Sequence, residues 1–330
     1  MPDGLFRFLW RQVAQCFLCS TFQLQKRMMD PVAGRRPSFL FTTIFLVVTM
    51  VLYPLAGALL FSLAGGSADV VEGGGGIGAM LGPLRLVQAL GQLLVLALPV
   101  LVLSARHAGG GLFSAGSLRF LGVGKRVEMR LVGFGALGVF LLQPLVYTVV
   151  GLQSLYLWPA LGDAGAEVVR QQALMERFIA ELARIGSLPE LLAVVAVLAV
   201  VPAVTEELLF RGYVQSNYAA AMRPSSAVLL TGTVFAFFHM SAANLLPLAL
   251  LGWYIGYIYS RTGNLAVPVS VHFVNNMAAL LLLLSAGSSP VAGSDPELLL
   301  FKVWWWVLLL LSLWLFIWVM RRFSAIASSS

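Results

Sequence analysis

From Phe39 to Leu63 the chain runs for about 25 residues without a charged side chain, long enough as a helix to cross a hydrocarbon core of about 30 Å. Similar apolar runs cover about Leu86 to Ser104, part of Leu131 to Leu157, Leu188 to Met222 with a kink expected at Pro202, and Ser225 to Met240. Three more follow at Leu245 to Ser260, Leu265 to Ser285 and Val303 to Met320. They succeed one another too closely to leave room for a soluble domain of ordinary size. The expected fold is therefore all-α: a polytopic transmembrane helix bundle of about eight spans with both termini cytoplasmic. A mean hydropathy of +0.90, with 59% hydrophobic and 11% charged residues, excludes an ordinary soluble protein.

The net charge of +7 does not point to nucleic acid, because the basic residues flank spans, where they set orientation. Arg106, Arg119, Lys125, Arg126 and Arg130 mark one cytoplasmic loop, and Arg321 and Arg322 follow the last span. The Gly-rich loop at Gly73 to Gly76, with Asp69 and Glu72, should face outward. Residues 1–37, with Arg7, Arg11, Lys26, Arg27, Arg35 and Arg36, read as a basic cytoplasmic or interfacial arm, or else a disordered tail. Residues 38–330 read as the bundle. Cys16 and Cys19 form one CxxC without a second pair or a nearby histidine, and are read as membrane-proximal small residues. Between Asp163 and Gly186, Val168, Leu174, Phe178, Leu182 and Ile185 recur at helical spacing among charges. That segment should lie along the outer interface or cap the bundle.

Against this background Thr205-Glu206-Glu207-Leu208-Leu209-Phe210-Arg211 stands out. A charge near a bilayer centre costs roughly 2.5–3.5 kcal/mol on insertion scales, so intramembrane acids need partners or a function. Glu207 and Arg211, at i and i+4, read as a buried ion pair that leaves Glu206 free. Two of the three histidines, His239 and His272, also fall inside spans, with Asn276 one turn after His272. If the fourth and fifth helices turn at Arg223-Pro224, Glu206 lies 17 positions before the turn (223 − 206) and His239 lies 16 after it (239 − 223). At about 1.5 Å per residue the two reach similar depth. Phe235 reads as packing, Asn244, Asn264 and Asn275 as cap or turn residues, and His107 as a surface residue.

Glu-Glu-x-x-x-Arg at Glu206 to Arg211, Phe-x-x-x-His at Phe235 to His239 and His-x-x-x-Asn at His272 to Asn276 resemble the three motifs of the CPBP family of intramembrane proteases. That family includes the type II CAAX prenyl endopeptidases and bacterial members grouped under abortive infection. The resemblance covers about 188–284 and implies a protease core there. It makes Glu206 the acid that activates water with His239 beside it, and His272 and Asn276 an oxyanion-stabilising pair. It also implies a membrane-associated protein or peptide substrate, prenylated in some members.

Peptide hydrolysis needs a base for water, a proton donor for the leaving amine and a stabiliser for the oxyanion, which these residue types can supply. Glu206, His239 and His272 also make the donor count of a catalytic zinc site. HExxH is absent, so the favoured reading requires no cofactor, with a divalent metal, zinc, as the alternative. Two other classes are compatible with intramembrane acids and histidines. One is a non-proteolytic adaptor or immunity protein on the same fold. The other is a proton-coupled transporter, although no internal repeat supports it. The lipid bilayer is a partner in every case, the location in a bacterium would be the plasma membrane, and oligomeric state is not legible.

Overall fold

A computed structural model describes residues 36–65, 77–285 and 296–329. Most of the basic arm, with Cys16 and Cys19, and the Gly73 to Gly76 loop with Asp69 and Glu72 lie outside the described residues. Among those described there is no strand. We number the helices α1 (Phe39–Leu63), α2 (Met80–Ala108), α3 (Ala115–Phe120), α4 (Met129–Ala160), α5 (Asp163–Leu182) and α6 (Leu188–Ala221). There follow α7 (Pro224–Phe238), α8 (Leu245–Thr262), α9 (Ala266–Ser285), α10 (Pro296–Leu300) and α11 (Val303–Ser329).

Six of these, α1, α2, α4, α6, α9 and α11, are long and apolar enough to cross a membrane. The protein is an integral multi-pass membrane protein. The other two expected spans differ from these six. α7 has 15 residues, and α8, though longer, carries Gly252, Tyr254, Gly256 and Tyr259 among its buried positions. A helix wrapped by protein has no need of lipid-like side chains, which is why hydropathy weakens along α8. α11 runs on past Met320 through Arg321 and Arg322 to Ser329.

α6 is capped by Ser187, whose hydroxyl accepts from the Glu190 amide. The kink expected at Pro202 takes the form of a π-helical turn at Ala196–Val200 just before the proline. Proline has no N–H and its ring clashes with the carbonyl four residues back, and the wider turn gives it room. A second π-helical turn, Leu208–Gln215, directly follows the two acids. Arg223-Pro224 then ends the helix and starts α7, with proline in the first turn where its missing N–H costs nothing.

α7 and α8 form a tight hairpin whose contact is Gly232 against Gly252. A Cβ added at Gly252 would lie 2.7 Å from the Gly232 carbonyl oxygen, and one added at Gly232 would lie 2.7 Å from the Trp253 amide nitrogen. Small residues at this crossing let the backbones touch, as in other membrane helix pairs. Gly252→Val should therefore push the hairpin apart at a cost of about 1–3 kcal/mol for overpacking. Thermal unfolding in detergent measures it, and an unchanged midpoint would show that the close approach is dispensable.

Two apolar cores organise the bundle, and the middle of α6 belongs to the first. One joins α1, α2, α6 and α7 through Leu46, Leu96, Val100, Leu209, Phe210, Tyr213, Phe235 and Phe238. The other joins α4, α8, α9 and α11 through Val139, Leu142, Tyr254, Ile258, Val271 and Phe323. Arg36 donates to Asn217 Oδ1 and to the Phe120 carbonyl, both at 2.9 Å, and lies over the Phe120 ring. His107, expected at the surface, instead pairs with the Tyr213 hydroxyl at 3.2 Å and stacks on Phe120. Its position at the end of α2, rather than in a loop, puts it against this aromatic cluster.

α5 forms as expected. Its last turn is held by Arg85 of α2, which donates to the carbonyls of Leu182 and Arg184, while Val169, Leu174, Met175 and Ile179 remain exposed. A cation on the free carbonyls at a helix C-terminus is favourable both as a hydrogen bond and with the helix dipole. An open apolar face anchored at one end suits an interfacial helix.

Candidate active site

Glu206 and Glu207 sit on α6 where it is enclosed by α2, α7, α8 and α9. Glu207 and Arg211 are both fully buried and paired, Arg211 Nη1 to Glu207 Oε1 at 2.9 Å. The second guanidinium nitrogen donates to the Gly252 carbonyl at 3.1 Å, within reach because the glycine contact brings that backbone close. The guanidinium also lies over the Phe235 ring at 4.8 Å. Salt bridge, carbonyl bond and cation–π contact together offset the desolvation of a buried cation.

The same Glu207 oxygen has a second partner. His272 Nδ1 lies 2.8 Å from Glu207 Oε1, so the carboxylate accepts from both Arg211 and His272. The ion pair was legible from the i,i+4 spacing, but its grip on His272 was not. His239, which ends α7, directs Nδ1 at the Phe235 carbonyl at 2.8 Å. A carbonyl and a carboxylate can only accept, so both imidazoles carry a proton on Nδ1.

Those two Nε2 atoms face one point. His239 Nε2 is 3.9 Å and His272 Nε2 is 4.0 Å from Glu206 Oε2. That oxygen is buried and makes no hydrogen bond among the described residues. The structure thus brings Glu206, His239 and His272 together; counting from Arg223 had placed only Glu206 and His239 at similar depth. Phe235 packs edge-on against both imidazoles, with ring centroids 4.7 Å from His239 and 6.1 Å from His272. Asn276 lies one turn beyond His272 on α9, half-buried, and its hydrogen bond among the described residues is to Asn275 at 3.4 Å. It is on the same helix face as His272, and no hydrogen bond joins it to Glu206 among the described residues.

Among the described residues no group of three or more His, Cys, Asp or Glu could hold a metal ion. The gaps of 3.9 and 4.0 Å exceed the separation of about 3.4 Å expected between ligand atoms of a tetrahedral zinc with bonds of about 2.0–2.2 Å. As placed, the Glu206, His239 and His272 side chains do not fit a zinc site.

Residues 188–278 match the Rce1-like family. The family is described as type II CAAX prenyl endopeptidase Rce1-like, and the match takes in α6, α7, α8 and most of α9. Glu206, His239 and His272 all lie within this Rce1-like segment. No curated protein and no solved structure matches the chain.

The helices outside the Rce1-like segment contribute a polar layer that sequence reasoning missed. The Thr205 hydroxyl meets Gln92 Oε1 at 3.0 Å, and Gln88 donates to the Tyr53 hydroxyl at 3.2 Å. Tyr53 in turn stacks on Phe238, next to His239, at 5.3 Å. Gln88 and Gln92, four apart inside an apolar span, were the available signal.

Proposed function

We propose that the protein is an intramembrane endopeptidase that hydrolyses a peptide bond of a membrane-associated protein or peptide. The observation that carries this reading is the convergence of two imidazole Nε2 atoms on the free oxygen of a buried carboxylate. Separations near 4 Å are too long for a direct hydrogen bond and suit one bridging water. That water can donate one hydrogen to Glu206 Oε2 and the other to His239 Nε2.

In the reaction Glu206 takes a proton from the water as its oxygen attacks the carbonyl carbon. The tetrahedral intermediate collapses when the C–N bond breaks and Glu206 passes that proton to the leaving nitrogen, giving an acid and an amine. Protonated His272, whose Nδ1–H is held by Glu207, offers Nε2–H to the oxyanion, and the Asn276 amide serves the same oxygen once substrate is bound. Glu207 acts on His272 as a buried carboxylate does in a catalytic triad: it accepts from Nδ1–H and fixes the ring orientation. Arg211 holds Glu207 in place for that task.

The Rce1-like match makes a farnesylated CAAX peptide the first substrate to try, beside unprenylated peptides and a membrane extract. Purified protein in detergent should release two peptide products, identified by mass spectrometry. His272→Ala should abolish them, and Asn276→Ala should slow their release by on the order of 10²–10³, as for one oxyanion donor. Equal cleavage by wild type and His272→Ala would refute the proposal. Exhaustive chelation should leave cleavage largely intact. Loss that zinc restores would instead assign the water to a metal.

A further inference from the structure

The antiparallel pair α4 and α11 keeps a regular register. Thr148 meets Trp305 through an indole N–H to hydroxyl bond at 3.0 Å, Ser312 donates to the Leu141 carbonyl, and the Phe134 and Trp318 rings meet edge-on with centroids 6.4 Å apart. Each step of about two turns down one helix is matched by two turns up the other. One turn further on, this register brings Arg130 opposite Arg322. The two arginines do line one open cleft, about 530 Å³ in volume, together with Phe134 and Trp318.

The chemistry of the cleft is graded. At its mouth are two exposed guanidinium groups, neither with an ion pair or hydrogen bond to the described residues. Arg322 lies 5.4 Å over the Trp318 ring, which leaves the outer edge of its fork open. One turn deeper along both helices the lining is aromatic, Phe134 on α4 and Trp318 on α11, while Ala325 and Ile326 line the cleft on the other side of Arg322. A third cation, Arg261 of α8, lies close by and donates to the Ser324 carbonyl at 3.5 Å. Arg130 is also in the first turn of α4, where the helix dipole favours an anion.

We propose that this cleft binds the headgroup of an anionic phospholipid. The two guanidinium groups hold the phosphodiester, and an acyl chain runs down over Phe134 and Trp318. Arginine suits this because its planar fork matches phosphate oxygens, and basic pockets between transmembrane helices at the positively charged side of a membrane protein are suited to such headgroups. The aromatic lining one turn below the charges makes a tethered phosphate, with its chain, a better fit than a free one. This site is independent of Glu206 and of the hydrolytic reading.

Native mass spectrometry and thermal unfolding of the full chain in detergent test the site, with phosphatidylglycerol, phosphatidylcholine or inorganic phosphate added. Phosphatidylglycerol should remain bound and raise the unfolding midpoint, and phosphatidylcholine should do so far less. Arg130→Gln with Arg322→Gln should weaken the anionic lipid by roughly thirtyfold, from about a fivefold factor per arginine near the surface. Arg322→Gln alone, at an exposed position, gives the same test at about fivefold where the double variant fails to fold. Equal retention of both lipids, or of phosphatidylglycerol by wild type and variant, overturns the proposal. Equal stabilisation by inorganic phosphate overturns it in favour of a free-anion site.

Discussion

Glu206→Gln should lower the rate of peptide cleavage by roughly 10²–10⁴, the usual range for removing a general base, with little change in stability. The stability half of this expectation follows from the contacts. Glu206 Oε2 has no hydrogen bond among the described residues, so exchanging the carboxylate for an amide of the same shape breaks none. The activity half follows from position, since the amide cannot take a proton from water yet still occupies the point faced by His239 and His272. Rates and unfolding midpoints measured on one preparation separate the two. A folded Glu206→Gln protein that cleaves at the wild-type rate would remove the enzymatic reading and leave a binding or adaptor role.

Arg211→Ala should have the largest effect on stability. Three contacts go at once, to Glu207, to the Gly252 carbonyl and to the Phe235 ring, and Glu207 is left as a buried acid without its cation. Breaking a buried pair from one side costs about 3–5 kcal/mol, a large share of a typical folding free energy. Low yield or loss of the folded protein is the expected result. Arg211→Lys should rescue poorly, because an ammonium cannot reach carboxylate and carbonyl from one planar fork. Neutralising both partners, Glu207→Gln with Arg211→Met, should restore much of the stability, since a pair replaced whole costs far less than a pair broken. The double variant should nevertheless be slow, because His272 Nδ1 loses its carboxylate. Full activity in that folded variant would show that Glu207 only packs.

Spacing along one helix was readable, and rotation between helices was not. The Glu207–Arg211 pair follows from four-residue spacing, and the meeting of Glu206 with His239 follows from counting residues either side of Arg223-Pro224. The bond from Glu207 to His272 depends on how α6 and α9 are turned towards each other, which no intrahelical period specifies. The same reason hid Gln92 beside Thr205, Tyr53 beside Phe238 and Arg85 at the end of α5. The spans were plain wherever lipid surrounds a helix. α8 was expected as an ordinary span, yet protein surrounds it, and its glycines and tyrosines answer to α7 and α4 rather than to lipid.

The central claim is that Glu206, His239 and His272 serve one water and one transition state. A double-mutant cycle tests it most directly: kcat/KM for wild type, Glu206→Gln, His239→Ala and the double variant, on the peptide cleaved fastest. Groups that act as a unit are strongly non-additive. The double variant should therefore be scarcely slower than the slower single variant, and a double loss equal to the product of the two single losses would contradict a shared site.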